Sequence, residues 1–244
     1  MRWLRSYFLM LKWVFLSNRP WLMMNLVVQM CIAVAFIFGM SYFYPQITPA
    51  IAKYLTTGAP VLILITVGLV MLPQIIASAR LEGTFDYIWS LPVPRMVHIA
   101  ADASNMFASM LPGIVLAVLF GALHFDFSLN IGPLVIPAVI LIASCSTFLG
   151  YSMAFAVPKP MMVNVLTQII IFIVMMFSPV MYPAEQLPQW LQSVHTVLPI
   201  KYMADLIRGT ITDIPVNLGL TFAVVGGWFV AGFFATWYLV NRRH

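Results

Sequence analysis

Six apolar runs, each long enough to cross a lipid bilayer, dominate this chain and fix what it can become. They cover 21–44, 55–79, 96–122, 131–157, 161–179 and 216–240, the fifth being the shortest. A helix rising about 1.5 Å per residue needs roughly 20 such residues to cross a hydrocarbon core of about 30 Å. In lipid, every backbone N–H and C=O must find a partner within the protein, so runs of this kind become helices. With 62% of the residues hydrophobic and a mean hydropathy of +0.98, no water-soluble globule could hide so much apolar surface. The expected fold class is an all-α polytopic membrane protein with six transmembrane helices. The whole of 1–244 is expected to form one membrane domain, since its size leaves no room for a further soluble one.

The basic residues orient the spans. With the amino terminus inside, Arg2, Arg5, Lys12, Arg19, Arg80, Arg95, Lys159, Arg242 and Arg243 are cytosolic, and only Lys53, Lys201 and Arg208 lie outside. This is the positive-inside bias, so both termini are expected in the cytoplasm and the chain in the plasma membrane. The basic pI of about 9.4 follows the same loop-end pattern, and no nucleic-acid partner is expected. Within 1–20, Arg5, Lys12 and Arg19 recur every seven residues along one helical face, opposite Trp3, Tyr7, Met10 and Val14. That pattern predicts an interfacial amphipathic helix, and the absence of a small-residue cleavage site predicts that it is retained.

Charge gathers in one place between two long runs, at 80–95, although only 8% of the chain is charged. Gly83 and the Leu91-Pro92-Val93-Pro94 segment punctuate this loop and predict a short helix over 84–90. On it Phe85, Ile88 and Trp89 share a face, with Asp86 and Ser90 turned away. An aromatic face beside charges suits a partner, and an interfacial loop with Tyr87 and Trp89 at headgroup level fits the same residues.

Inside the spans, amides stand out. Asn25 and Gln29 in the first span mirror Asn164 and Gln168 in the fifth, each pair at i, i+4, and Gln74 lies in the second. Amides at such depth need partners or water, so they serve either as hydrogen bonds between helices or as the lining of a wet vestibule. Beyond Gln168 the fifth span turns apolar through Phe172, Met175, Met176 and Phe177, a stretch able to gate by excluding water. Asp102 sits about two turns into the third span, able to snorkel outward or to meet His98 at i−4. Small residues step by four along the fourth span at Ser146, Gly150 and Ala154, and along the sixth at Ala223, Gly227, Ala231 and Ala235, so both faces are expected in close helix contacts. Pro60, Pro73, Pro112, Pro133 and Pro137 predict kinks. The outer segment 180–215 is expected to fold back as short re-entrant helices. One follows Pro188 over 189–194, and the other covers 200–209 with Gly209 as its stop. Trp190, Leu191, Val194 and Leu198 would form their apolar face.

Catalytic chemistry finds no residues to carry it. The four histidines lie apart, without the i, i+4 or Cys neighbours of a metal site. Cys31 and Cys145 lie within apolar runs and read as small hydrophobes. There is no Gly-x-Ser-x-Gly, and no lysine stands in the Gly-Lys-Ser/Thr context of a phosphate-binding loop. No catalytic residue and no metal ligand is therefore assigned, and energy for uphill movement would come from another chain or an ion gradient.

Two stretches carry a resemblance. Arg80-x-Glu82-Gly83-Thr84 followed by Leu91-Pro92-Val93-Pro94-Arg95, and Ser178-Pro179-Val180-x-Tyr182-Pro183 with Leu187-Pro188-x-Trp190-Leu191, Leu198-Pro199-Ile200 and Asp205-Leu206-Ile207-Arg208, resemble the permease subunit of type-2 ABC exporters. The likeness covers nearly the whole chain and departs from the family at Leu198, where an Asn is usual. It implies a second permease copy, either identical or a related chain, and two ABC ATPase subunits. These would bind ATP and Mg, so that this chain needs no cofactor of its own. It implies coupling to the ATPase through Arg80, Glu82, Gly83, Thr84, Phe85, Asp86 and Trp89, and a translocation path along Gln74, Asn164, Gln168, Phe172, Met175 and Met176. The cytosolic motif resembles the multidrug-resistance branch, which moves small amphipathic compounds; the outer motif also occurs in exporters of polysaccharides or lipid-linked glycans. An ATPase-independent six-span channel or ion-coupled carrier is the alternative from a different class.

Overall fold

The computed structural model of the protein describes residues 2–17, 19–44, 46–127 and 129–242. The side chains of 2 and 19–22 lie outside the described residues, and with them the expected roles of Arg2 and Arg19; so do Arg243 and His244. Eleven α-helices follow in order: α1 (Arg2–Ser17), α2 (Arg19–Ser41), α3 (Pro49–Ile65), α4 (Leu72–Leu81), α5 (Thr84–Ser90), α6 (Arg95–Phe125), α7 (Val135–Ala156), α8 (Pro160–Phe177), α9 (Gln189–His195), α10 (Pro199–Ile211) and α11 (Leu218–Arg242). No strand occurs among the described residues. Six helices are long and apolar enough to cross a membrane, and they coincide with the six runs: Met23–Ser41, Pro49–Leu81, Arg95–Phe125, Val135–Ala156, Pro160–Phe177 and Leu218–Arg242.

The second span is the spine of the bundle. α3 is buried almost without interruption from Leu55 to Ile65, and α2, α6, α7, α8 and α10 pack around the continuous segment 49–81. Between α3 and α4 the helix widens into a π-helical turn, Thr66–Met71, in which the Leu72 N–H reaches back to the Val67 carbonyl. Pro73, just beyond, has no N–H to give and its ring crowds the preceding turn, which is the usual cause of such widening. At this turn the backbones of two spans meet. A Cβ on Gly150 of α7 would lie 2.1 Å from the Gly68 carbonyl oxygen, and one on Gly68 would lie 2.4 Å from Ser146 Oγ. The fourth-span stripe thus does what its spacing predicts.

The sixth-span stripe does not. Ala223, Gly227 and Ala231 are exposed, and a Cβ on Gly227 would meet nothing within 4 Å. α11 instead buries Thr221, Val225, Gly232, Thr236 and Val240 against α7, where Thr236 Oγ1 donates to the Phe148 carbonyl at 3.0 Å. The physical reason is Phe148, whose ring packs edge-on against Phe229 at 5.7 Å and Phe233 at 5.2 Å. Burying three rings outweighs the closer approach that the small stripe would permit.

α1 lies along α6. Met10 and Val14 are buried and the Tyr7 hydroxyl meets Ser104 Oγ at 2.7 Å, while Arg5 and Lys12 face away. Trp3, on the apolar face opposite the basic residues, is 63% exposed. At the opposite end of the bundle, α9 and α10 cap the spans. α10 continues two residues past Gly209 to Ile211, because Gly209 is a contact point for Val216 and Leu218 rather than a stop. α9 buries Leu191 and His195 but leaves Trp190 and Val194 exposed, so the expected apolar face is divided between two directions. Lys53 and Asp213 pair at 2.5 Å across this end, and the backbone N–H groups of Asn130 and Gly132 bond to the Ile211 and Thr210 carbonyls.

Candidate functional site

Two features converge at the end of the bundle that carries α1 and α5: a stapled surface helix and a polar cavity. The helix follows from Gly83, whose φ of 74° reverses the chain in the left-handed region where a side chain would be strained. Glu82 closes α4 with its N–H on the Ser78 carbonyl, and α5 then occupies the span that the sequence predicts, Thr84–Ser90.

Ring and cation contacts hold α5 in place. Phe85 and Trp89 stack with centroids 4.6 Å apart, and both reach Phe155 of α7, at 6.0 and 5.7 Å. The Arg95 guanidinium lies 4.7 Å over the Trp89 ring and donates to the Val240 carbonyl near the end of α11 at 3.0 Å. Arg80 donates to the carbonyls of Ala154, Val157 and Pro158, at 3.0, 3.1 and 2.7 Å. Ala154 belongs to the last turn of α7, whose carbonyls lack helical partners and carry the negative end of the helix dipole, and Val157 and Pro158 follow directly after the helix. The aromatic face therefore packs inward against the bundle, and the surface left outside is made by Glu82, Gly83, Thr84, Asp86 and Tyr87.

Beside the helix, a cavity of about 510 Å³ opens between α2, the second span and α6. Asn25, Gln74, Glu82, Asp102 and Asn105, together with Ser78, Thr84 and Ser109, supply its polar lining, and Val67, Met71, Ile75 and Met106 the apolar part. Asp102 Oδ2 accepts the Tyr151 hydroxyl at 2.5 Å. Gln74 Nε2 donates to Thr167 Oγ1 at 2.8 Å and so joins the cavity wall to α8. The Oδ1 atoms of Asn25 and Asn105 are buried without a hydrogen-bond partner among the described residues.

The two amide pairs that look alike in the sequence are used differently. Gln29 turns inward, donating to the Ser109 carbonyl of α6 at 2.9 Å, beside the buried Asn25. On α8 the buried stripe is Val163, Thr167 and Val174, while Gln168, Phe172, Met175 and Met176 are exposed and Asn164 is half-buried. Asn164, Gln168, Phe172 and Met175 lie together on one flank, about a quarter to a third of a turn from the buried stripe. Gln74 and the α8 residues are thus linked through Thr167, whereas α5 stands apart at the bundle end.

Several residues escaped the sequence reading. Arg208, 2% exposed, donates to Asp205 at 2.8 Å and to the carbonyls of Pro179 and Val180, and stacks 4.1 Å from the Tyr54 ring. The i, i+3 spacing of Asp205 and Arg208 was the available signal. Burial pushes the Asp205 carboxyl above its ordinary range and the Arg208 guanidinium below its own, each partner acting against that shift. The Asp213 carboxyl is instead held below its ordinary value by the hydrogen bond from Lys53. His195, with Nε2 2.8 Å from the Phe177 carbonyl, ties α9 to the end of α8, and no sequence signal announces that bond or the one from Tyr151 to Asp102.

A bundle of six apolar helices with a fastened surface helix and a polar cavity defines a helical membrane permease. The chain belongs to the ABC-2 type transporter family, whose profile matches residues 8–212. No curated protein matches it. It is a transmembrane subunit of an ABC transporter, a transporter component rather than itself a catalyst, working with an ABC ATPase and membrane lipids.

Proposed function

We propose that this chain is the permease of an ATP-driven exporter that moves drug-like or amphipathic compounds outward across the plasma membrane, with both termini cytoplasmic. Two permease copies work with two ATPase subunits, which bind ATP and Mg, and the whole of 1–244 acts as one membrane domain. The observation that carries the reading is the fastening of α5. Phe85 and Trp89 pack it on Phe155 near the end of α7, Arg95 joins Trp89 to the end of α11, and Arg80 ties the preceding α4 to the end of α7, so a push on its exposed surface is passed to the bundle rather than absorbed by a loose loop. In this reading Glu82, Gly83, Thr84 and Asp86 meet the ATPase, while Arg80, Phe85 and Trp89 transmit its stroke. The path runs by Gln74, Asn164 and Gln168 to the apolar stretch of Phe172, Met175 and Met176, which closes it towards the exterior.

The test is Glu82→Ala in the complex with its ATPase, reconstituted in liposomes. Glu82 is exposed at the junction of α4 and α5, so the substitution leaves folding and insertion intact. Transport-linked ATPase activity should fall several-fold, in keeping with about 1 kcal/mol or more from a docking contact. Unchanged coupled activity in a normally assembled complex would remove α5 from the coupling role.

A further inference from the structure

We propose that the cavity between α2, the second span and α6 binds a primary or secondary ammonium group carried on an apolar body. This inference rests on the reading of the chain as a mover of amphipathic compounds and names the chemical class of its ligand.

The polar lining is one-sided. Two of the seven acidic residues of the chain, Glu82 and Asp102, line the cavity, and among the described residues no Lys, Arg or His does. Asn25 and Asn105, 7% and 2% exposed, bring Oδ1 acceptors that have no donor among the described residues. A buried acceptor left without a donor is destabilising, so the site is completed by a ligand that donates hydrogen bonds. The Tyr151 hydroxyl brings one proton to Asp102, and a carboxylate accepts more than one bond. Turning either asparagine amide over would offer an NH₂ in place of an oxygen and still leave Asp102 without a cation. His98, one turn earlier on α6, interacts with the Asp102 carboxylate from outside the lining, and its buried Nδ1 has no partner.

Size and apolar content agree with the charge. A volume of about 510 Å³ falls within the range of sites for drug-sized ligands. Met71, Met106, Val67 and Ile75 offer an adaptable apolar wall beside the acceptors. An ammonium with N–H groups meets both demands, charge for Asp102 and donors for the amides. A quaternary ammonium meets only the first, and a neutral hydrogen-bond donor only the second. The same group could reach the site as a free amphipathic amine or as the headgroup of an aminophospholipid.

The experiment uses the full chain in nanodiscs of phosphatidylcholine and phosphatidylglycerol, which contain no primary amine. Dansylcadaverine, a primary ammonium on an apolar fluorophore, is the probe, and its N-acetylated form is the neutral control. The ammonium should bind about tenfold or more tighter than the control, the scale of a hydrogen bond to a charged group. Asp102→Asn should abolish that preference and Asn105→Leu should reduce it several-fold, with the weak binding of the control unchanged as evidence that the fold survives. Should Asp102→Asn fail to reconstitute, Asn25→Leu joins Asn105→Leu as the second reading, each expected to reduce the preference several-fold, and a preference that survives both overturns the proposal. Competition by added phosphatidylethanolamine supports the site with a lipid as its occupant, and a lack of competition supports it with a free amine. Equal affinity for the two probes, or a preference that survives both Asp102→Asn and Asn105→Leu, overturns the proposal. Adding the ATPase separates the two readings. ATP-dependent movement of the acetylated probe without ammonium preference sinks the site alone, and ammonium binding without any ATP-dependent movement sinks the exporter.

Discussion

Among the described residues Arg208 is the largest side chain to be almost wholly buried, and it lies in the cap rather than near the cavity. Its guanidinium joins α10 to the segment after α8 through the Pro179 and Val180 carbonyls and rests on Tyr54 of the second span. Burying a pair of charges costs desolvation that their attraction barely offsets, but removing one partner leaves the other stranded. Arg208→Met should therefore destabilise the chain by about 3 kcal/mol in mixed-micelle unfolding, since Asp205 stays behind. Adding Asp205→Leu to that variant should recover a large part of the loss. A single variant within about 1 kcal/mol of the parent would mean the pair is solvated and structurally idle.

Among the elements, α7 and α11 show how the same spacing can serve two ends. At Gly150 the neighbouring backbone leaves no room for a Cβ, and Ala there must push α7 away from the π-helical turn. Overpacking of that kind costs about 1–3 kcal/mol. At Gly227 the same substitution meets open space, and replacing a helix-interior glycine gains about 0.5–1 kcal/mol. Unfolding of the two variants side by side should show opposite signs. A destabilised Gly227→Ala would mean that the sixth-span stripe is covered by a contact beyond this chain, and an unaffected Gly150→Ala would mean that the spans are not in backbone contact.

At the scale of the whole molecule, α8 stands out because it buries so little of itself. One narrow stripe, Val163, Thr167 and Val174, holds it to the second span, and most of its other large apolar side chains are exposed. In the proposed pair of permeases the flank of Gln168, Phe172 and Met175 faces its twin. Cysteine at Met175 should then cross-link between copies in the ATP-free complex, and cysteine at Ile173, exposed on the other flank, should not. Cross-linking at position 173 alone would rotate the helix, and at neither position would take α8 away from the axis.

The sequence by itself determined the six spans, the bounds of α5 and the two short helices of the cap, because each follows from local rules. Apolar length suffices for a span, and glycine and proline punctuate what lies between. Spacing also found the Gly150 contact, yet it misassigned Gly227 and could not tell Asn25 and Gln29 from Asn164 and Gln168, since periodicity names a face but not what the face meets. Only the tertiary structure decided that the aromatic face of α5 turns onto Phe155, that Arg80 fastens the end of α7, and that Asp102, Asn105 and Asn25 border one cavity. Such groupings join residues far apart in the chain, and packing chooses among faces by the total surface buried and the hydrogen bonds completed, quantities that belong to no single helix.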